Sequence, residues 1–447
     1  MVHPRRENGE QGGRSNTNDS LEEHPIVIPF QKSRSTSTSR SKSYSVRQFR
    51  DGDRASFLSL YGTVFDRDRG TRWFDWKYEE NPYVDHVPIV VAEQNDTLVG
   101  CRSFFPMEMR IDGETHIAFQ PCDTMVHPDH QRRGLFSRMN EYALDRYSDG
   151  TPSFFFNFPN ANSKPGNLKH GWREIGTVPM YYRPQNPVAA LSTLVSSRLS
   201  PSTAESDFDG TSSSSSDTDT NSNSTSTTRT TTHTTGTNTT RFPIDVFDGQ
   251  SIAAVDRALG TTTAGAHRVR DRLVTTSTPG VTVERHDTPP AKTLESIYRR
   301  SIPDAAHANR TAAFYRWRLQ NPTQEYVTYV ARWEGTPVAA LIVSPVDDYV
   351  RIVDSLPRSI DTHPNALERL LVDVLAEYSD RSFVTAFGDT LPSPLRYLFY
   401  PDTRRPLSSV IQPSTRSLLA REVGPETAVE DSTPGDWALS RLDLDTT

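Results

Sequence analysis

Residues 122–139 read CDTMVHPDHQRRGLFSRM, and they predict a strand, a short loop and the start of a helix. The helix begins directly after two arginines and one glycine. Amides at a helix N-terminus have no intrahelical partner, and together with the positive end of the helix dipole they form an anion site. Gly134 lacks the Cβ that would keep a phosphate from the backbone, and it tolerates a positive φ. The stretch therefore indicates a diphosphate site, although many such junctions carry Arg-Arg-Gly without any ligand.

The residues on both sides of this stretch predict a mixed α/β domain. Alternating and helical apolar patterns precede it, and a strand of buried composition follows its helix. The predicted elements are a strand at 44–49, a helix at 53–65, a short helix ending at Pro82, hairpins turning at 94–97 and 112–113, a strand at 153–158, a turn-rich segment at 159–172 and a final strand at 177–183.

The second half of the chain repeats part of the first. FDWKYEENP at 74–82 aligns with FYRWRLQNP at 314–322, and residues 90–106 align without gaps on residues 329–345. Two blocks at nearly equal offsets favour an internal duplication over a chance likeness of two strand–turn–strand units. The stretch at 350–378 keeps a strand and a helix but has prolines in place of the glycine-containing turn. This copy is therefore expected to be structural, or to shape the acceptor cleft, without a diphosphate site of its own.

Composition divides the chain and excludes several classes of protein. Among its 447 residues, the polar tracts at 1–42 and 199–241 have too little apolar surface to order, which predicts a disordered tail and a disordered Ser/Thr-rich linker between domains at 43–198 and 242–447. With 49 basic and 56 acidic residues and a net charge of −7, no nucleic-acid surface is indicated. No signal peptide and no run of ~20 apolar residues is visible, so a soluble cytoplasmic protein without a membrane partner is expected.

The order of these elements resembles the GNAT superfamily of acyl-CoA N-acyltransferases, well over 43–185 and faintly over 281–420. The form RGLFSRM resembles the branch with paired acetyltransferase domains. The resemblance implies an α/β (α+β) fold of two GNAT-like mixed-sheet domains, the second degenerate. In the family's Q/R-x-x-G-x-G/A loop, which binds the cofactor pyrophosphate, Gln131 and Gly134 match, whereas Phe136 departs from the expected Gly or Ala.

The same resemblance implies acetyl-CoA as the acyl donor and names its contacts. The pantetheine arm is expected to pair with backbone groups where two central strands splay apart, and the loop amides are expected to hold the pyrophosphate. The expected contacts are Met125, Val126 and His127 for pantetheine, Gln131, Arg132, Arg133, Gly134, Leu135 and Phe136 for the pyrophosphate, and Asn160 after the strand at 153–158.

The chemistry of the family is direct attack by an amine on the thioester. An ordinary alkyl amine has a pKa near 10.4, so forming the neutral nucleophile at pH 7 costs roughly 4–5 kcal/mol, and a general base lowers this cost. The candidate bases are Asp123, His127 and Glu80. Asp123 is preferred because it lies one pleat before the loop, but each of the three also has a purely structural reading. Members of the family often use a tyrosine after the fifth strand as general acid, and residues 159–172 contain none.

Other residues with catalytic chemistry have structural interpretations that are preferred. His127 and His130 flank a proline and have no cysteine nearby, which makes a metal pair a poor interpretation, so no metal is expected. Cys101 and Cys122 fall in predicted strands and are expected to be small buried hydrophobes. The aromatic residues of the short helix before Pro82 are expected in the core rather than in a substrate wall; they are Trp73, Trp76 and Tyr78.

The function predicted from the sequence is acetyl transfer from acetyl-CoA to a primary amine. An amino sugar, a small polyamine-like molecule and a protein amine all remain open as acceptors, and so does oligomerisation. The alternative is a non-catalytic acyl-CoA-binding or scaffolding protein, which the missing tyrosine favours.

Overall fold

Two mixed β-sheets form the framework of the chain in this computed structural model. The structure describes residues 43–148, 150–160, 163–185, 280–358, 363–396, 398–405, 408, 416–423 and 427–445. The predicted tail at 1–42 and the predicted linker at 199–241 lie outside the described residues.

The first sheet contains eight strands. They are β1 (Ser45–Gln48), β2 (Ile89–Gln94), β3 (Thr97–Ile111), β4 (Glu114–Val126), β5 (Phe154–Asn157), β6 (Arg173–Thr177), β9 (His307–Ala308) and β15 (Ser417–Glu422). Their order is β1-β2-β3-β4-β5-β15-β6, with β9 attached to β3, and only the β4–β5 pairing is parallel. Both predicted hairpins are confirmed. Their turns contain residues with positive φ at Asn95, Asp96, Asp112 and Gly113.

The second sheet contains seven strands. They are β7 (Met180–Pro184), β8 (Val281–His286), β10 (Val327–Trp333), β11 (Thr336–Pro345), β12 (Tyr349–Leu356), β13 (Phe383–Phe387) and β14 (Tyr400–Pro401), in the order β14-β7-β13-β12-β11-β10-β8. The β10–β11 hairpin is the segment aligned on β2–β3, and its turn at Glu334 and Gly335 also has positive φ. The two mixed sheets confirm the predicted fold class.

The two halves of the sequence exchange strands. β7 follows β6 in sequence, yet it pairs with β13 and β14 of the second sheet. In return β15, from the second half, lies between β5 and β6 and completes the first sheet. The sequence did not predict this exchange. The domain boundaries predicted at 198 and 242 lie outside the described residues and stay predictions.

The described helices pack against these sheets and none is long. α1 follows the predicted helix closely, whereas α4 occupies the segment that was predicted as turns. No helix in the described segments combines the length and apolar character needed to cross a bilayer. The helices are α1 (Arg54–Phe65), α2 (Thr71–Phe74) continued by a π-helical turn (Asp75–Glu79), α3 (Leu135–Arg146), α4 (Lys164–Lys169), α5 (Ala291–Tyr298), α6 (Ala312–Arg318), α7 (Pro364–Glu377) and α8 (Ser393–Arg396).

The largest hydrophobic core joins the two duplicated segments. Trp76 and Trp317 stack with ring centroids 6.1 Å apart, and each indole Nε1 donates to the other's carbonyl oxygen at 2.8 Å. Trp73 and Tyr78 are buried in the same core, which confirms the structural interpretation of these aromatic residues. Cys101 and Cys122 are free and buried there, as expected.

Candidate active site

Strands β4 and β5 separate after a short parallel pairing. Their register joins only two residues of each strand, Ala118 with Phe154 and Phe119 with Phe155. Beyond these pairs β4 continues to Val126, while β5 stays paired with β15 along its whole length. The two central strands of the first sheet therefore open into a split, with Met125 and Val126 on the diverging part of β4.

The loop at the mouth of the split has the backbone of an anion site. Arg132 and Gly134 have φ of 58° and 70°, and Gln131 before them is extended. Turns of this kind can direct backbone amides toward one concave face. Gly134 is the N-cap of α3, and no side chain caps the first turn of this helix. A Cβ on Gly134 would meet no atom within 4 Å, so the loop leaves open space at this position.

Side chains of the loop hold it against β1 and β4. The Gln131 side-chain amide donates to the Val126 carbonyl oxygen at 3.3 Å. Arg133 donates to the Tyr44 hydroxyl at 2.7 Å and to the Asp129 carbonyl oxygen at 2.8 Å. Arg132 is exposed. The loop is thus fixed on one side by Gln131 and Arg133, while its backbone amides remain the groups expected to face a ligand.

His127 is engaged inside the protein rather than in the split. Its amide donates to the Val99 carbonyl oxygen at 2.8 Å, and its carbonyl accepts from the His130 amide at 2.8 Å. Its Nδ1 accepts from the Asp129 amide at 3.3 Å, which caps a short 3₁₀ helix. These bonds occupy the backbone groups that were predicted to contact pantetheine and the ring nitrogen nearest the loop, so the geometry gives His127 a structural role.

Helix α4 closes the other side of the split. The Phe136 ring lies near Gly166 and packs on the His170 ring, with centroids 6.1 Å apart. The Asn160 side-chain oxygen accepts from the Ser163 amide at 2.8 Å and so organises the start of α4. The large side chain at the departing position of the family motif therefore fills space between the loop and α4.

Arg102 is a site residue that the sequence did not single out. On β3 it lies opposite two residues of β4, Asp123 and Thr124, and this two-to-one pairing is a β-bulge. Its side chain is 2% exposed and its guanidinium carbon lies 5.0 Å from the centre of the Phe136 ring. Its Nη1 donates to the Thr124 hydroxyl at 3.4 Å, whereas its Nε and Nη2 have no hydrogen-bond partner among the described residues.

A second group of polar side chains lies at the same bulge, around Asp123. Asp123 has a φ of 41°, a conformation that costs a non-glycine residue roughly 1–2 kcal/mol. Its Oδ2 lies 2.6 Å from the Lys77 Nζ and also accepts from the Tyr78 hydroxyl. The π-helical turn presents these consecutive side chains to one carboxylate, and such turns are frequent at functional sites.

Because these side chains are buried, their charges interact strongly. Burial opposes the charge of Lys77, but the Asp123 carboxylate outweighs that effect and raises the pKa of the ammonium above its usual value. Burial, reinforced by Asp123, raises the pKa of the Tyr78 hydroxyl well above its usual value. Lys77 is therefore an ammonium and Tyr78 a neutral donor, and both stabilise the negative charge of Asp123.

Asp445 approaches the same ammonium from the far end of the chain. Its Oδ2 lies 3.7 Å from the Lys77 Nζ, and its side chain is 10% exposed. Burial raises the pKa of Asp445 to about 6, against the opposing effect of Lys77. Gln120, on β4, accepts from the Asp445 amide. A carboxylate with a pKa close to neutral, next to the bulge, was missed by the sequence reasoning.

The three predicted bases thus have different surroundings. Asp123 lies at the bulge, but Lys77 and Tyr78 already occupy its carboxylate. Glu80 is exposed directly after the π-helical turn. His127 caps the loop. Asp123 is buried together with other ionisable groups, whereas His127 lies 3.9 Å from the exposed Asp129 carboxylate. The catalytic roles of all three stay predictions.

The next tyrosines along the chain after residues 159–172 belong to the other sheet. Tyr181 and Tyr182 are on β7, which belongs to the second sheet, and Tyr182 pairs with Thr385 and Tyr400. The phenol at the bulge is Tyr78. Burial also raises the pKa of the neighbouring Cys122 thiol well above its usual value, which opposes formation of a nucleophilic thiolate.

The second half has an aspartate at the corresponding bulge. Asp354 lies on β12, where the register with β11 shifts, and it is fully buried. Arg310 pairs with it at 3.4 Å, Arg358 at 3.1 Å, and the Tyr315 hydroxyl donates to it at 3.0 Å. Two arginines and one hydroxyl thus bind this carboxylate, and the structural role expected of the second copy stays a prediction.

In the part of the chain that the structure describes, no three His, Cys, Asp or Glu side chains are grouped so that they could hold a metal ion. A cavity of about 540 Å³ lies between the β6–β7 connection, α8 and residues 434–439. Of its charged residues, Asp389 and Arg396 pair with each other and Arg358 pairs with Asp354, and neither the loop nor Asp123 lines the cavity.

A sheet split between two parallel strands, with a glycine-containing loop and a helix N-terminus at its mouth, is the arrangement expected from the resemblance to the GNAT superfamily. Residues 45–174 match the family model described as an acetyltransferase (GNAT) domain. This match, together with the geometry of the split, supports an acyltransferase.

Solved structures share the fold over most of the chain. A GCN5-related N-acetyltransferase from Kribbella flavida has a TM-score of 0.51 and 12% identity, covering 88% of this chain and 74% of that chain. A conserved protein from Enterococcus faecalis V583, described as a probable N-acyltransferase, has a TM-score of 0.50 and 10% identity, covering 85% and 72%. No curated protein matches the sequence. At these low identities, the similarity shows a shared fold and nothing about activity or substrate.

Proposed function

We propose that the chain transfers an acetyl group from acetyl-CoA to a primary amine by direct attack of the amine on the thioester. The observation that supports this most is the split between β4 and β5 with the Gln131–Phe136 loop at its mouth. The uncapped first turn of α3 and the open space at Gly134 fit a diphosphate, and Met125 and Val126 line the split where a pantetheine arm would lie. The coenzyme supplies the activated thioester.

We assign the proton transfer to Asp445. The acceptor amine must lose a proton, and a base with a pKa near the working pH does this most efficiently. The pKa of Asp445, about 6, leaves it mostly ionised at neutral pH yet still able to accept a proton. Asp123 is paired with Lys77 and Tyr78, so we give it the role of positioning these two side chains rather than taking the proton itself.

The experiment measures donor binding by calorimetry and thiol release over a panel of amino sugars, polyamines and peptides with free amines. Gly134→Ala adds a Cβ at the proposed diphosphate position, and Gly113→Ala is the matched control. Both glycines have positive φ and open surroundings, but Gly113 lies in the β3–β4 turn. Both variants should therefore carry a similar backbone strain of ~1–2 kcal/mol.

We expect acetyl-CoA to bind the wild type and the Gly113 variant alike, and the Gly134 variant more than tenfold more weakly. Amine-dependent thiol release by the wild type would support catalysis. Binding without release from any amine would support the alternative, a non-catalytic acyl-CoA-binding protein. Absence of binding at millimolar acetyl-CoA would refute both readings.

A further inference from the structure

The guanidinium of Arg102 is a buried cation for which the described residues provide no counter-ion. It is 2% exposed, and none of the ion pairs among the described residues includes it. Two of its three nitrogens are buried without a hydrogen-bond partner. Removing a charged group from water without pairing it costs several kcal/mol in proteins, so such residues are rare unless something binds them.

The position of Arg102 indicates what would bind it. Its one hydrogen bond goes to Thr124, on the diverging part of β4, and its guanidinium carbon lies over the rings of Phe104 and Phe136. Phe136 belongs to the anion-binding loop. The free nitrogens therefore lie between the split and the loop, on the path expected for the donor.

Among the described residues, no carboxylate forms an ion pair with Arg102. Burial lowers the pKa of Arg102 to about 10, which still leaves it a cation at neutral pH. Burial and the Arg102 charge together lower the pKa of His170, on the other side of Phe136, so this histidine is kept neutral and adds no second cation. An anionic oxygen arriving in the split would satisfy both free nitrogens.

We propose that Arg102 binds an anionic group of the acyl-CoA donor inside the split. This inference rests on the proposed function. Two parts of a donor could supply the anion: the diphosphate of the coenzyme, or a carboxylate at the end of a dicarboxylic acyl group. Charge-assisted hydrogen bonds of this kind change affinity by roughly 10- to 100-fold.

The test compares Arg102→Met, Arg102→Lys and the control Arg110→Met by calorimetry with coenzyme A, acetyl-CoA and succinyl-CoA. Arg110 lies on the same strand but bonds only to the exposed turn, at the Gly113 carbonyl oxygen. Arg102→Met should weaken binding about 10- to 100-fold, Arg102→Lys should lose less, and Arg110→Met should bind like wild type. An equal loss with all three ligands assigns the diphosphate. A loss confined to succinyl-CoA assigns the acyl carboxylate.

The melting temperature of the free protein separates ligand binding from a structural role. Because the methionine removes an unpaired buried charge, Arg102→Met should melt at the same or a higher temperature than wild type. Unchanged binding of all ligands, or a loss with both acyl-CoA ligands but not coenzyme A, would overturn the proposal, as would a lower melting temperature with wild-type affinity. If coenzyme A and both acyl-CoA ligands fail to bind the wild type, the proposed function itself fails and this inference with it.

Discussion

The ion pair between Lys77 and Asp123 should stabilise the protein far more than a surface pair of the same length. Its Nζ–Oδ2 distance is 2.6 Å with side chains 4% and 2% exposed. The pair between Lys164 and Glu174 has a distance of 2.7 Å, but its side chains are 25% and 40% exposed. Removing one partner of a buried pair costs ~3–5 kcal/mol because the other charge stays buried, whereas an exposed pair contributes ~0–1 kcal/mol.

Lys77→Met should therefore lower the free energy of unfolding by ~3 kcal/mol or more, and Lys164→Met by less than ~1 kcal/mol. The estimate for Lys77 is taken at the low end because Tyr78 still donates to Asp123 in the variant. Urea denaturation at pH 7.5, followed by tryptophan fluorescence, measures both changes.

The double variant Lys77→Met/Asp123→Asn identifies the cause of the loss. Because it removes the orphaned carboxylate as well, it should be more stable than Lys77→Met alone. Equal losses in the two lysine variants, or a double variant no more stable than the single one, would refute the reasoning that an unpaired charge at the bulge dominates the cost.

Four other expectations follow from the described residues. The kcat/KM of the wild type should rise with pH up to about 6 as Asp445 ionises. In Asp445→Asn this rise should disappear and kcat/KM should fall ~100-fold. A pH profile that keeps the rise in the variant would contradict the role of Asp445 as base. Because burial raises the pKa of Asp445, the folded state binds a proton that the unfolded state has already lost, and the contribution of Asp445 to stability should fall as pH rises from about 4 to about 6. The difference in free energy of unfolding between wild type and Asp445→Asn, measured by urea denaturation, should change over this range. A difference that is independent of pH would contradict this. Trp317→Phe leaves the Trp76 carbonyl oxygen without its donor and should lower the free energy of unfolding by ~1–3 kcal/mol in urea denaturation. A denaturation curve identical to that of the wild type would contradict this. Cys122→Ala should keep thiol release within about threefold, and its abolition would indicate an acyl-enzyme route.

The local parts of the fold could be predicted because their signals are contained in a few neighbouring residues. The β3–β4 turn was predicted from Asp112-Gly113, and the loop and the start of α3 from the run at 131–136. The alignment of 90–106 on 329–345 predicted a hairpin in the second half of the chain, and β10–β11 is that hairpin. Each of these predictions needed only turn chemistry and apolar periodicity.

The parts that could not be predicted depend on pairings between distant segments. Nothing in TVPMYYR distinguishes a last strand of the first sheet from a strand of the second, because both positions are equally apolar. Arg102 did leave a signal: a single charge within the apolar run LVGCRSFF (98–105) suggests a buried cation. So did LDLD at 442–445, where leucines alternate with aspartates as in a half-buried extended segment. Neither pattern predicts which residues lie next to these side chains in the folded protein.

The segment 442–445 also connects the proposed active site, in the first sheet, with the second half of the chain. Arg310 holds the Asp443 carboxylate with bonds of 2.7 and 2.8 Å and, against the effect of burial, lowers its pKa to about 2. Arg318 donates to the Leu442 carbonyl oxygen at 3.0 Å. Two residues further on, Asp445 reaches Lys77. Arginines of the degenerate copy thus anchor the segment that carries the proposed base. Under the proposed function, the second half of the chain therefore contributes to the reaction by holding the segment that carries Asp445.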